Sequence, residues 1–393
     1  MSRELARLIT GQIFLHACMA GMRMATPLLA LKQGYSAMAV GALLSMFALT
    51  QVFLAVPAGR YTDVHGLKKP LRISIVVSCL GAMASAVWPI FPMLCLSALA
   101  SGGATGMTVI ALQRHVGRTA KDGLALKTAF SWLSIGPAIS NFVGPVVAGL
   151  LIDHAGAQTA DTTGFRVAFA AMALLPLLTW FWVRTVHEHP SPPAADSATP
   201  RNAMDLLREP LMRRLLMVNW LLASCWDVHT FVVPILGHER GFSASVVGTI
   251  LGSFAMAAAF IRVCLPWFAK HVQEHQIVTF AMVATSLLFG LYPWMPNAWA
   301  MGACSVTLGL VLGSVQPMIM STLHQITPKH RQGEALGLRL MSINASSVLM
   351  PSLFGAVGAI AGVAPVFWVV GTSVGLGSRL AWHLRPHNLP HHH

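Results

Sequence analysis

RLITGQIFLHACMAGMRMATPLLALKQGYSAMAVGALLSMFALTQVFLAV, residues 7–56, is answered 207 positions later by RLLMVNWLLASCWDVHTFVVPILGHERGFSASVVGTILGSFAMAAAFIRV, residues 214–263. Without a gap, 16 of the 50 paired positions are identical, among them Arg7 with Arg214, Cys18 with Cys225, Pro27 with Pro234, Gly34 with Gly241, Gly41 with Gly248 and Phe47 with Phe254. Further along, at slightly different offsets, Pro89 and Pro92 match Pro293 and Pro296, and Pro145 and Gly149 match Pro351 and Gly355. Each copy opens on two apolar stretches long enough to cross a hydrocarbon core about 30 Å thick. Such a duplication describes a membrane protein built from two similar halves.

The composition agrees. Of 393 residues, 55% are apolar and 10% charged, where soluble domains carry about 25% charged residues. Hydropathy places twelve transmembrane helices at residues 6–31, 37–58, 70–89, 93–114, 127–152, 165–184, 213–236, 244–267, 276–293, 298–323, 334–357 and 362–383. The expected fold is an all-α membrane protein of two pseudo-symmetric six-helix bundles, residues 1–186 and 214–393. They are joined by a cytoplasmic linker, 187–213, that contains HPSPPAADSATPRN. An even number of helices per half makes the halves parallel repeats, related by an axis along the membrane normal. So little chain is left over that a soluble catalytic domain, and with it an enzyme, is excluded. No GxxxxGK[ST] loop supports direct ATP coupling, and no cofactor is implied.

The net charge of +13 would suit nucleic acid only if it formed a patch on a soluble surface. Instead, with the N-terminus inside, 21 of the 26 Lys and Arg residues fall in cytoplasmic segments or the helix ends that adjoin them. That bias puts both termini in the cytoplasm and makes the anionic bilayer the natural counterion. A multi-pass chain of a bacterial inner membrane, working as a monomer and binding no nucleic acid, is the expectation. All six cysteines lie in predicted helices and imply no disulfide framework. Residues 6–31 read as an uncleaved first helix, and His391, His392 and His393 resemble a purification tag.

After the second helix stands PAGRYTDVHGLKK, residues 57–69. With six plus six helices and a basic central segment, it resembles the major facilitator superfamily over essentially the whole chain. Gly59, Asp63, Gly66, Lys68 and Lys69 satisfy that family's loop pattern, with Val64 and Leu67 at two positions usually basic. The resemblance implies a conformational gate, in which Asp63 sits near the start of the eleventh helix and locks the halves. The equivalent position of the second copy is Lys270, so the lock reads as one-sided. In the fifth helix, Ser131, Ser140, Gly144, Pro145, Ala148 and Gly149 fall at the spacing of the family's exporter motif, which leans towards efflux. Small residues there allow close helix approach, and the proline removes a backbone donor. The arginine of many proton-coupled members in helix four is absent, and Ala98 or Leu99 occupies that region.

Ionisable groups inside apolar helices are the default functional candidates. Asp227 is the carboxylate deep within a predicted span, flanked by Cys225, Trp226 and His229. Arg23 lies deep in the first helix, and the repeat maps it onto Thr230, within a turn of Asp227. The two either pair or share a substrate contact in a central cavity. Asp227 could carry the coupling proton, or Arg23 could bind an anionic group while Asp227 keeps the empty cavity neutral. A permanent ion pair that only orients two helices is the plainer alternative. His16 and His229 are candidate proton relays, and Gln316, Asn141 and Asn344 candidate cavity amides. Arg262 reads as a side chain that snorkels to water. Cys225, Asp227 and His229 could also suggest a divalent-metal site, but residues two apart on a helix point about 200° apart. The expected function is a secondary transporter working by alternating access, exporting a small organic molecule against protons. The alternatives are an organic-anion carrier using Arg23 and a divalent-metal exporter.

Overall fold

The computed structural model describes residues 3–35, 37–120, 122–155, 162–188, 203–240, 242, 244–268 and 272–384. Most of the 187–213 segment, Lys270 and the terminal histidines lie outside them. Among the described residues thirteen α-helices follow one another: α1 (Arg3–Lys32), α2 (Ala37–His65), α3 (Lys68–Val87), α4 (Phe91–Thr119), α5 (Gly123–Leu133), α6 (Ile135–His154), α7 (Thr163–Val183), α8 (Pro210–Glu239), α9 (Ala244–Phe268), α10 (Glu274–Leu291), α11 (Ala298–Ile326), α12 (Gln332–Ala361) and α13 (Ala364–Trp382). Among the described residues there is no strand.

α5 and α6 follow one another in the chain with only Ser134 between them. Among the described residues, nine spans are long and apolar enough to cross a bilayer, with Gly123–Ile152 counted as one. The others, α8, α12 and α13, are 30, 30 and 19 residues long. Helices are the form such a chain must take, because hydrocarbon offers no partner to a free N–H or C=O. Prolines sit inside several of them, among them Pro27, Pro57, Pro145, Pro266 and Pro317. Exposed Phe53, Leu80, Phe142, Phe260, Phe280 and Leu376 show that large apolar side chains face outward. That is the surface a bilayer solvates.

Two of the expected helices differ most from their bounds. The second helix does not end at residue 58 but runs to His65, so Gly59 and Asp63 stand on helical turns rather than in a loop. The hydropathy window loses those turns because Arg60, Thr62 and Asp63 are polar, although helical hydrogen bonding continues through them. Gly66, at φ 74°, then reverses the chain, a conformation a side chain would resist. The expected single helix 127–152 is broken at Ser134, whose Oγ turns back to the Ser131 carbonyl at 2.7 Å. Pro137, three residues on, has no N–H to give the carbonyl of Leu133.

The helices form two compact units. One comprises α1 to α4, α6, α7 and α12 as far as Asn344; the other comprises α5, α8 to α11, the rest of α12 and α13. In the first unit, Cys18, Met22 and Leu29 of α1 pack with Leu43, Phe47, Ala98, Phe169 and Met172 in a dry core. Each unit contains the same backbone seam. A Cβ on Gly102 of α4 would strike the Phe47 carbonyl of α2, and one on Gly309 of α11 would strike the Phe254 carbonyl of α9. Gly106 lies against Gln51, and Gly313 against Ala258. All four pairs of counterparts are 207 residues apart, so the duplication is one of packing as well as of sequence.

Candidate functional site

Asp63 is the centre of a charged cluster in the first unit. Its Oδ1 receives the Arg114 Nε–H at 2.7 Å and the Gly333 N–H at 2.9 Å, and its Oδ2 receives the Glu334 N–H at 3.0 Å. Arg114 also donates through Nη2 to the Asp63 carbonyl, at 3.0 Å. Asp63 and Arg114 are nearly sealed from solvent, with side chains 8% and 3% exposed. The carboxylate therefore caps the first turn of α12, where unsatisfied N–H groups and the helix dipole favour an anion. Glu334, on the same turn, is held by Arg60 Nε at 2.9 Å and Arg331 Nε at 2.7 Å.

Glycine makes this approach possible. A side chain on Gly59 would overlap the Gly333 carbonyl, and one on Gly337 would overlap that of Ala55. At the α2–α3 turn, Glu188 Oε1 accepts the N–H groups of Leu67 and Lys68 at 2.7 and 3.1 Å. Lys68 and Lys69 form no ion pair among the described residues. Sequence reasoning missed Arg114, Arg60, Arg331 and Glu334. As isolated charges near helix ends they carry only a topology signal.

The second unit has a cluster of its own. Glu274 opens α10; its Oε1 accepts from Ser321 Oγ at 2.8 Å and Gln325 Nε2 at 2.9 Å, and its Oε2 lies 3.3 Å from Lys127 Nζ. Lys127, on α5, also donates to the Val272 carbonyl at 3.0 Å. Glu274 stands four residues beyond Lys270, the position that answers Asp63 in the repeat, so register alone does not reveal it.

Midway along α8, Asp227 is partly buried and turned towards α12, with Ser346 Oγ 3.3 Å from Oδ2 and Ser347 Oγ 3.4 Å from Oδ1. His229 points elsewhere. It is fully buried, stacked on Phe254 at 4.0 Å between centroids, with Nε2 2.9 Å from Ser305 Oγ. That hydroxyl also lies 2.7 Å from Tyr292 OH. Trp226 meets Phe254 edge-on at 4.6 Å, and the Arg262 guanidinium lies 5.8 Å from the Trp226 ring.

Arg262 does not snorkel. Its Nε donates to Gly313 O at 3.3 Å and its Nη1 to Ser134 O at 3.4 Å, while Ser131 Oγ donates to the Arg262 carbonyl. Carbonyls at the helix break and an aromatic face offer it partners inside the unit, which bulk hydropathy cannot register. Gln316 is half-buried on α11. Cys225 is buried and donates to Leu221 O at 3.2 Å. Among the described residues no three His, Cys, Asp or Glu side chains gather as a metal site requires.

In the first unit Arg23 is exposed on α1 and His16, two turns before it, is half-buried. Asn141 is exposed on α6. Asn344 Nδ2 donates to Gln51 Oε1 at 3.2 Å and to Leu340 O at 2.8 Å. Ser140, Gly144 and Ala148 form the seam of α6 against α1: Ser140 Oγ donates to Ile13 O at 3.0 Å, and a Cβ on Gly144 would strike the Ala17 carbonyl. Pro145 is half-buried beside that seam, and a Cβ on Gly149 would meet Met24 Cε at 3.4 Å.

Residues 8–338 match the profile of the Major Facilitator Superfamily. The class B tetracycline resistance protein of Escherichia coli is 24% identical over 335 residues, 81% of this chain and 78% of that protein. A homologue of the multi-drug resistance efflux pump PmrA from Lactococcus lactis subsp. lactis is 25% identical over 354 residues, 87% of this chain and 83% of that one. Among solved structures, a bacterial homologue of the iron transporter ferroportin, in an outward-facing state, superposes with a TM-score of 0.81 over 98% of this chain and 100% of its own, at 15% identity.

Proposed function

We propose that this chain, which belongs to the Major Facilitator Superfamily, exports a small organic molecule in exchange for protons, with Asp227 as the proton-carrying group. Membership makes it a multi-pass membrane transporter of small molecules and not an enzyme. The finer reading rests on one observation, the carboxylate of Asp227 halfway along α8 beside the hydroxyls of Ser346 and Ser347. A hydroxyl donates to an ionised carboxylate and accepts from a protonated one. That surrounding tolerates both charge states, as a reversible proton carrier needs. The resistance and efflux relatives support the outward direction.

In the same reading, residues 1–186 and 214–393 are the two halves of an alternating-access machine, joined by 187–213. The Asp63 cluster holds the cytoplasmic end closed, and both termini lie in the cytoplasm of a bacterial inner membrane. The chain works as a monomer. Arg23, exposed on α1, favours a second reading, in which it binds an anionic cargo and Asp227 balances its charge in the empty state.

Reconstitution in liposomes with an imposed pH gradient tests both, using cationic, neutral and anionic compounds. Efflux of cationic or neutral cargo that Asp227→Asn uncouples from the gradient is the expected result. Full gradient-driven transport by Asp227→Asn overturns it. Movement of anions alone, stopped by Arg23→Gln, installs the second reading.

A further inference from the structure

We propose that the first unit binds an anionic glycerophospholipid in a crevice between α2, α3 and α4, with its acyl chain in the groove, an ester carbonyl at Ser74 and its phosphate at Lys69. The crevice has a volume of about 370 Å³ and is lined by Leu54, Ile73, Val77, Leu96 and Leu99, with Gly103 and Gly106 on its α4 side. Small residues let α2 and α4 close together behind it. A Cβ on Gly103 would lie 2.7 Å from Thr50 Cγ2, and one on Gly106 2.9 Å from Gln51 Cγ. Leu54, Ile73, Val77 and Leu96 are all exposed, so the opening faces where the bilayer lies. Hydrocarbon is the occupant such walls select.

Two polar groups make the site more specific than a greasy notch. Ser74 lines the crevice and is 1% exposed, yet its Oγ has no hydrogen-bond partner among the described residues. A buried hydroxyl left unpaired is costly, and a ligand that supplies an acceptor removes that cost. Lys69 stands one turn before Ile73, on the same face of α3; it is exposed and in no ion pair among the described residues. Five residues of helix separate Lys69 from Ser74, about 7.5 Å of axial rise and about 140° of rotation, an offset within the reach of the long lysine side chain. That spacing suits the phosphate and first ester of one glycerophospholipid. Tyr61 and His65 of α2, stacked at 4.0 Å, fall on the helical face that continues the α2 wall of the crevice and form a flat rim at the same end. The net charge of the chain, +13, also suits an anionic partner. None of this depends on the cargo or on the direction of transport.

The test is native mass spectrometry of the full chain, purified in detergent, stripped of lipid and titrated with phosphatidylglycerol or phosphatidylcholine of matched chains. One phosphatidylglycerol is expected to bind about tenfold more tightly than phosphatidylcholine. Lys69→Gln should abolish that preference while keeping weak binding of both, and Ser74→Ala should weaken both. Val77→Trp, a change on the exposed rim, should fill the groove and remove both, with the circular dichroism of the folded chain unchanged. Equal binding of phosphatidylglycerol by wild type and Val77→Trp overturns the proposal. So does a dimer that dissociates in Val77→Trp, which would assign the groove to a second copy, or displacement of the lipid by transported cargo, which would assign it to substrate.

Discussion

Lys127 Nζ lies 3.3 Å from Glu274 Oε2, and the two side chains are only 11% and 14% exposed. The pair ties α5 to the first turn of α10, while Ser321 and Gln325 of α11 occupy the other carboxylate oxygen. A carboxylate with this many donors, largely out of water, cannot lose one partner without leaving the rest mismatched. Glu274→Gln and Lys127→Met should each cost about 1–3 kcal/mol. The double variant should cost clearly less than their sum, because the second change removes the group the first left unpaired. Thermal unfolding of the four proteins in detergent measures this, and simple additivity would show the pair to be idle.

Asp63 and Arg114 are buried further still. Asp63→Asn leaves the Arg114 guanidinium without its counterion in a nearly dry site, where breaking a pair costs about 3–5 kcal/mol. The amide can still accept one of the two α12 N–H groups but presents its own N–H to the other. Lower stability and transport below a tenth of wild type are expected in the liposome assay. Asp63→Asn with Arg114→Met should recover stability without recovering transport. Recovery of both would make the cluster structural only.

Gly59 and Gly333 meet backbone to backbone. Gly59→Leu must drive α2 away from the first turn of α12 and stretch the hydrogen bonds to Asp63, at about 1–3 kcal/mol for overpacking. Cysteines placed near Ala55 and Gly337 should cross-link efficiently in the wild type and several-fold less in Gly59→Leu. Unchanged cross-linking would mean that the approach is not held by the glycines.

Ser305 is shared by His229 and Tyr292. Ser305→Ala removes the partner of both buried groups and should lower stability by about 1–3 kcal/mol. If His229 is only a packed side chain, the pH profile of transport keeps its midpoint. A displaced midpoint would put His229 on the proton path.

Duplication and apolar runs are local or repeating properties, so the helical class could be read from hydropathy along the chain and the two-copy order from residues 7–56 and 214–263. The seam glycines obey the same offset because backbone contact tolerates no side chain in either copy. The ends of the helices were harder. Helical hydrogen bonds carry α2 through Arg60, Thr62 and Asp63, past the point where hydropathy stops, and α5 breaks at a serine and a nearby proline that an apolar average ignores.

The candidate site divides in the same way. Asp227 stood out in the sequence because a lone carboxylate among apolar residues is conspicuous at any reading distance. Arg114, Glu274 and Ser346 did not, since a side chain's partner lies tens or hundreds of residues away and no spacing rule links them. Whether an arginine near a helix end snorkels, as Arg262 was expected to do, depends on which carbonyls and rings the packing brings to it.

By itself, then, the order of residues determined the class of fold, its duplication and the few charges that had to be accommodated in hydrocarbon, because each follows from transfer energies summed along a short stretch. Only the tertiary structure decided which of those charges are neutralised, capped or left beside a hydroxyl. Ion pairs and hydrogen bonds act over about 3 Å, and it is the packing of distant helices that brings the partners within that reach.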